Sequence, residues 1–582
     1  MTFRILLVAS CLLAASVAAS AQEFRPPPEA ASGTTAKTLV TAKRHMIAAA
    51  EPSAAEAGRE ILRKGGSAVD AAIATEMVLG LVEPQSSGLG GGAFITYWDA
   101  KTRLVTTFDG RETAPAAAEP DRFLTKDGKP LAFEDAVLSG LSVGVPGVLR
   151  ALYAAHEKHG KLPWKDLFEP AIKLADDGFH VSPRLAALLA NDNPQNFAPE
   201  ARAYFYEGGT RPRAEGELLK NPAYAATLRL IADKGPDAFY SGDVANAIVA
   251  AVQGATSIKG DMTAADLAEY KAPERPPVCV NYRGRKVCGM GPPSSGGLTV
   301  GAVLTLIEPF SQVQGPAAAM TAPALHIISE AEKLAYADRN RYIGDPDRIP
   351  VPSGLLDDGY LAERRKLIDP KKAMEKAEPG LPPGLAKKTF GVDATYEVPG
   401  TTQVSIIDDD GNAFSMTATI ESAFGSHLWA KGFLLNNELT DFSFKPVDDD
   451  GVALANAVEG GKRPRSSMAP TIVLGADGNP EIVTGSPGGS QIILYVVKTL
   501  VAMIDWDMNA QQAASLTNFG CQGGPFLIEY SQPILWPGYE LTLYGQTVAG
   551  ATMTSGVNTV ARDGALLEGG ADPRREGVAL GD

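Results

Sequence analysis

Histidine is scarce in this 582-residue chain: there are six, scattered, and only His156 and His159 in "HEKHG" stand close together. They fall near the end of a predicted helix, where solvation is the expected role. No histidine, cysteine or acid spacing suits a metal, so neither a metal nor a cofactor is expected. Positive charge is also short, with 53 Lys and Arg against 68 Asp and Glu and a net charge of −15. No basic stripe can neutralise phosphates, which excludes nucleic acid and favours a small-molecule partner. Long apolar runs are missing except at the start, "MTFRILLVASCLLAASVAASAQEF". There Arg4 precedes a run too short for a comfortable span, and Ala19-Ser20-Ala21 follows in an A-x-A cleavage pattern. Residues 1–21 therefore read as a secretory signal peptide rather than a membrane anchor. Lipidation at Cys11 is disfavoured because the apolar stretch runs well past it. A periplasmic or secreted protein with no membrane contact after signal removal is expected, and 22–40 reads as a loose leader.

Cysteine is rare too, with three left after signal removal. In "PVCVNYRGRKVCGM" a two-residue turn at Arg283-Gly284 sets Cys279 opposite Cys288 on a non-hydrogen-bonded rung. An exported chain can oxidise that pair, and two buried free thiols are the alternative. Cys521 is then an unpaired core residue. No internal repeat or low-complexity block is evident.

What is present is ordinary globular material, 45% hydrophobic, with 60 Gly and 42 Pro marking many tight turns. "EPSAAEAGREILRKGGSAVDAAIATEMVLGLVEP" predicts a helix ending at Gly65-Gly66, then a second, capped by Ser67, running to about Leu81. Strands "AFITYWD" and "LVTTFDG" follow. Residues 146–275 are mostly helical, and strands and helices mix from about 278. The Pro- and Lys-rich 370–400 reads as an exposed tail or linker, and a helix is expected from Gln491 to about Ile504. Gly140-Leu141-Ser142-Val143-Gly144 matches G-x-S-x-G but lacks a strong strand before it, so a serine nucleophile at Ser142 is disfavoured. Gly88 to Ala93 matches G-x-G-x-x-A in the wrong order of elements for dinucleotide binding.

The stretch "VPGTTQVSIIDDDGNAFSMTATIE", 398–421, reads as a hairpin. Asp408 to Asn412 is turn chemistry, and 413–420 return antiparallel. A two- or four-residue loop pairs 402 with 419, and a three-residue loop pairs 403 with 419, so Thr419 returns close to Thr401. Threonine suits strands for its shape alone; the surroundings point further. Gly488-Gly489 precede a helix, a ready oxyanion site. Ser466 and Ser467 offer adjacent hydroxyls, Glu438 and Asp441 follow an apolar strand, and Arg111 in "DGRETAP" can clamp a carboxylate.

Together, "EPQSSGLGGGAF", "DGRETAP", "PPSSGG", "GTTQVSIIDDDGNA", "LLNNELTDFS", "KRPRSSMAPT" and "TGSPGGS" resemble the γ-glutamyltransferase (glutathione hydrolase) family of N-terminal-nucleophile hydrolases, from about residue 40 to the closing "GGADPRREG". The resemblance implies an α+β fold, an αββα four-layer sandwich. It also implies a precursor that cuts itself between Gly400 and Thr401 into a large subunit, 22–400, and a small one, 401–582. The two stay together as one domain. The Thr401 hydroxyl would attack the Gly400 carbonyl to give an ester that water cleaves. The freed α-amine, with an unperturbed pKa of about 7.8, would then serve as base for its own hydroxyl. The residues alone leave Thr401 and Thr402 open as the new terminus; the likeness selects Thr401.

By the same resemblance Thr419 orients Thr401, and Gly488 and Gly489 form the oxyanion hole. Arg111, Ser466 and Ser467 hold the α-carboxylate of a γ-glutamyl group, and Glu421, Glu438 and Asp441 surround its α-ammonium. The substrates would be glutathione or another γ-glutamyl compound, with water or an amino-acid or peptide acceptor. Two departures stand out: Glu at 421, where better-studied members commonly carry Asn, and a short 443–463 segment without the lid Tyr of some bacterial relatives. Both suggest an open site in which hydrolysis outweighs transpeptidation. A cephalosporin (glutaryl) acylase on the same scaffold is one alternative. An exported solute-binding protein with an inactive site is another.

Overall fold

The computed structural model describes residues 33–385, 390–395, 397–398, 400–530 and 535–582. The signal peptide and residues 22–32 of the leader lie outside them. Two seven-stranded sheets, antiparallel throughout, organise the chain. The elements that build them are β1 (Val40–Ala42), β2 (Met46–Ala49), α1 (Pro52–Arg63), α2 (Ala68–Val82), β3 (Gly92–Asp99), β4 (Leu104–Gly110), α3 (Val148–His159), β5 (Glu274–Arg275), β6 (Val278–Tyr282), β7 (Arg285–Gly289), α4 (Gly296–Ile307), α5 (Ala322–Tyr342), β8 (Thr401–Ile407), β9 (Ala413–Thr419), β10 (Thr471–Leu474), β11 (Pro480–Gly485), α6 (Ile492–Ile504), β12 (Asn558–Asp563), β13 (Leu566–Ala571) and β14 (Val578–Gly581). The first sheet runs β14-β2-β8-β9-β3-β4-β5 and the second β1-β13-β12-β11-β10-β7-β6.

Alternation along β8 and β9 explains the layering. Val404, Ile406, Phe414, Met416 and Ala418 join the core formed with α1, α2 and α3. The intervening residues face the second sheet: Ser405 Oγ donates to the Asn558 carbonyl (2.8 Å) and Ser415 Oγ to the Thr484 carbonyl (2.9 Å). Helices α4, α5 and α6 bury their apolar faces in a core with the outer side of the second sheet. The result is helices, sheet, sheet, helices, an αββα sandwich. With one face on helices and the other on a sheet, every residue of β8 and β9 is buried.

The local signals behave as expected. Ser67 and Asp70 form a reciprocal capping box at the start of α2, and Gly65 takes φ +85° just past α1. Cys279 and Cys288 are cross-strand partners and are joined as a disulfide, and Cys521 is a buried free thiol. Among the described residues no helix is long and apolar enough to cross a membrane.

Three expectations need correction. The β8–β9 hairpin pairs Thr401 directly with Thr419, one residue off the 402–419 pairing and two off the 403–419 pairing considered. Asp408 makes the difference: its carboxylate accepts the N–H groups of Asp410 and Asn412, and its own N–H reaches the Asn412 carbonyl. The loop is thus the three residues 409–411, with Gly411 in the left-handed region that ends such turns. The 370–400 stretch is not an exposed linker throughout, since Gly391, Asp393, Glu397 and Gly400 are buried. His156 and His159 are only partly solvated: the His159 ring lies 4.3 Å from that of Tyr97, and His156 contacts the Leu162 carbonyl.

Candidate active site

The end of the hairpin brings the two candidate threonines together. Thr401 and Thr419 lie opposite each other on the face toward the second sheet, with Thr401 Oγ1 3.4 Å from Thr419 Oγ1. Thr419 Oγ1 donates to the carbonyl oxygen of Gly400 at 2.6 Å and accepts the N–H of Glu421 at 2.8 Å. One hydroxyl therefore touches the neighbouring hydroxyl and polarises the carbonyl that precedes it. Thr402 points the other way, its Oγ1 donating to Glu83 at 3.2 Å, so the two adjacent threonines differ in everything but type.

Gly400 is required by space. A Cβ there would stand 2.0 Å from the Glu421 carbonyl oxygen and 2.9 Å from the Ser422 carbonyl carbon, both rigid backbone. Gly400→Ala must push the 400–401 peptide away from Thr419. Slowing of any cleavage at that bond by at least about 100-fold is expected, read as the uncut fraction on denaturing gels over time, because misplacement of about 1 Å suffices for such a loss.

Behind the threonines lies a buried ion network. Arg111, held between β4 and the segments at 438–441 and 464–465, pairs with Glu438 and Asp441. It also donates to the carbonyls of Pro464 (3.2 Å) and Arg465 (2.7 Å). Burial works against its charge, but Glu438 and Asp441 outweigh it and hold the guanidinium protonated. Glu421 accepts from Asn437, Ser422 and the Val398 N–H. Burial, then repulsion from Glu438, pushes its carboxyl up to about 8. Burial raises Asp441 and Glu112 as well. Glu421, Glu438, Asp441 and Glu112 thus gather around one guanidinium, and the set favours an additional cation or extra protons. Glu421 sits at φ +78°, a left-handed position that suits Asn better than Glu, so the carboxylate is kept at a backbone cost.

Ser466 and Ser467 close the far side. The Ser466 carbonyl accepts from Ser295 N (2.7 Å), and Ser467 Oγ accepts from Arg339 at 2.6 Å. Arg339 also binds Glu397, whose carboxylate stays ionised because Arg339 and Arg465 overcome the burial that opposes it. The Glu397 carbonyl accepts the Ser490 N–H at 3.2 Å, which ties the segment before Gly400 to the Gly488-Gly489 turn. Both glycines have positive φ, and a Cβ on Gly488 would stand 2.5 Å from the Tyr495 ring.

The site residues named by the resemblance, from Arg111 through Gly400, Thr401, Thr419, Glu421, Glu438, Asp441, Ser466 and Ser467 to Gly488 and Gly489, are linked by these contacts. Arg339, Glu397, Asn437 and Arg465 were not assigned roles, although Asn437 and Arg465 lie within the quoted "LLNNELTDFS" and "KRPRSSMAPT" and Ser295 of "PPSSGG" accepts from Arg339 at 2.9 Å. The disfavoured Ser142 is buried, with its hydroxyl bonded to the carbonyls of Val137 and Ser139.

The gamma-glutamyltranspeptidase family profile matches residues 54–582. The glutathione hydrolase proenzyme of Escherichia coli K12 is 39% identical over 500 residues, 84% of this chain and 82% of that protein. A Pseudomonas sp. A14 protein of the same name is 37% identical over 93% of this chain and 95% of its own. Among solved structures, a cephalosporin acylase from Bacillus halodurans superposes with a TM-score of 0.81 at 26% identity, covering 96% of this chain and 99% of that one. Helicobacter pylori gamma-glutamyltranspeptidase gives 0.54 at 31% identity, over 62% and 99%. The chain belongs to the gamma-glutamyltranspeptidase family of N-terminal-nucleophile hydrolases.

Proposed function

We propose that this protein is a γ-glutamyl hydrolase and transpeptidase, acting on glutathione and related γ-glutamyl amides, and activated by its own cleavage between Gly400 and Thr401. The observation that carries the reading is the Thr419 hydroxyl, 2.6 Å from the Gly400 carbonyl oxygen and facing the Thr401 hydroxyl. In the uncut chain Thr419 draws charge onto the Gly400 oxygen as Thr401 Oγ1 attacks the carbonyl carbon. The peptide C–N bond breaks, the Thr401 nitrogen takes the proton, and water hydrolyses the resulting ester. The amine thus released accepts the proton of its own hydroxyl when a substrate amide arrives. The γ-glutamyl group passes to Thr401 as an ester and then to water or an acceptor amine. Gly488 and Gly489 stabilise the oxyanion of each tetrahedral state.

The acid cluster sets the acyl preference. A γ-glutamyl α-ammonium supplies the cation that Glu421, Glu438 and Asp441 need, and its α-carboxylate suits Arg111, Ser466 and Ser467. Glutaryl carries a methylene in place of the ammonium and leaves buried carboxylates unpaired, at about 3–5 kcal/mol. The Bacillus halodurans neighbour makes glutaryl transfer the second reading. Hydrolysis of γ-glutamyl and glutaryl anilides compared side by side decides between them, and a preference for glutaryl overturns the first. Sequencing the small fragment should begin at Thr401. With Glu at 421 and no lid tyrosine in 443–463, water is expected to compete well with acceptors.

Glu421 also predicts a pH dependence. Its carboxyl is held up to about 8, so it is neutral below that pH and charged above, and the charged form binds the substrate ammonium. KM for a γ-glutamyl anilide should fall about 3–10-fold as pH rises from about 6.5 to about 8.5. In Glu421→Gln the KM should be higher and flat across that range. An unchanged slope in the variant would place the titration elsewhere.

A further inference from the structure

The C-terminal "DPRREG" stretch places a second guanidinium at the nucleophile, outside the groups used above. Arg575 is buried, and its Nη1 donates to the Thr401 carbonyl oxygen at 3.1 Å. Its Cδ packs where Gly556 leaves room, since a Cβ on Gly556 would come within 2.7 Å of it. The same Cβ would approach Pro487, the residue before Gly488, to 2.5 Å. Arg575 therefore joins the nucleophile's own peptide plane to Gly556, beside which Pro487 also lies.

We propose that Arg575 is a positioning residue for Thr401, fixing the peptide plane that follows the nucleophile and setting a permanent positive charge beside the α-amine that cleavage releases. This rests on the reading of Thr401 as the new N-terminus. The carbonyl oxygen and the amine share one Cα, which places the guanidinium within about 6 Å of the amine nitrogen. A cation at that range disfavours the ammonium form, so the amine is neutral, and able to act as base, at lower pH.

The surroundings leave that charge effective. Glu83, after α2, and Glu51, before α1, face the same cluster, and burial raises them to about 8 and about 7. Both are thus drawn toward the uncharged form near neutral pH. Glu83 is also shared, pairing with Arg184 and accepting from Thr402. Burial works against the Arg575 charge, Glu83, Asp572, Tyr495 and Glu576 support it, and Lys37 donates to its backbone carbonyl. Asp572 is held ionised chiefly by Arg574, against its burial, and its carboxylate bonds Ser555 and the Arg574 side chain and backbone.

The test uses the full-length chain and three proteins: wild type, Arg575→Met and Arg575→Lys. The acid limb of kcat, which reports the amine in the enzyme–substrate complex, should move up by about one pH unit in Arg575→Met, with slower self-cleavage. Arg575→Lys keeps the charge but not the reach, so its limb should stay at the wild-type pH while kcat falls about 5–10-fold. A limb unmoved in Arg575→Met overturns the proposal, because loss of packing alone lowers the rate at every pH. If Arg575→Met is not recovered folded, Arg575→Lys carries the test, and either a shifted limb or a wild-type kcat overturns it. Wild type cut elsewhere than before Thr401 fails the underlying reading instead, which keeps the two failures apart.

Discussion

Thr401→Ala will run as a single uncut chain on a denaturing gel, where the wild type gives two, and will hydrolyse γ-glutamyl anilide at least about 10⁴-fold more slowly. Loss of one hydroxyl removes the attacking atom of both reactions, so no second nucleophile rescues the later step. Thr402→Val is the matching control. Thr402 Oγ1 lies on the helix side of β8, bonded to Glu83, and its strand neighbour reaches the other face. That variant should still cut before residue 401 and keep activity within about 10-fold of wild type. If Thr402→Val stays uncut while Thr401→Ala is processed, the nucleophile is one residue further on. Thr401→Ser should cut slowly, since a primary hydroxyl keeps the chemistry but lacks the β-methyl that restricts χ1.

The contrast between these threonines marks how far the sequence could be read. Alternation told that they face opposite sides of β8, but which side carried the chemistry depended on the layer packed against each. That layer comes from α2 on one side and from β11 and β12 on the other, distant in sequence. Local signals held well: Ser67 announced the start of α2, and Gly488-Gly489 announced the turn before α6. The hairpin was evident, yet its register lay one or two residues off because Asp408 caps its own loop with a side chain.

Glu397 shows the opposite limit. Its neighbours are rich in Pro and Lys, so composition spoke for an exposed linker. Docking against Arg339 and Arg465, 58 residues back and 68 ahead, buries it. Arg575 likewise had no local signature, because its meaning lies in a carbonyl 174 positions away. Groups whose role is set by such partners are found by folding the chain, or by a family likeness that already records the fold.

Arg111→Met should separate binding from self-cleavage. The proposed cut uses Gly400, Thr401 and Thr419, none of which Arg111 touches, so two bands are expected. Turnover should suffer heavily, with kcat/KM for γ-glutamyl anilide down at least about 100- to 1,000-fold, because a buried cation that recognises carboxylate is lost. Arg111→Lys should not restore it, as one ammonium cannot reach Glu438, Asp441 and the carbonyls of Pro464 and Arg465 together.

Stability should change as well, in a pH-dependent way. Burial already holds Glu438 and Asp441 above the ordinary carboxylate range, and Arg111 opposes that rise. Without it their folded-state pKa values climb further, while the unfolded values stay near about 4. A group raised on folding favours the folded chain in its protonated form, so stability is lost as pH rises above the unfolded value. The deficit of Arg111→Met against wild type should therefore be small near pH 5 and approach about 3–5 kcal/mol near pH 8. Thermal unfolding of both proteins at the two pH values measures it. An equal deficit at both would mean that Arg111 holds its neighbours by packing and hydrogen bonds to backbone, and that the acid cluster is neutral in the resting protein.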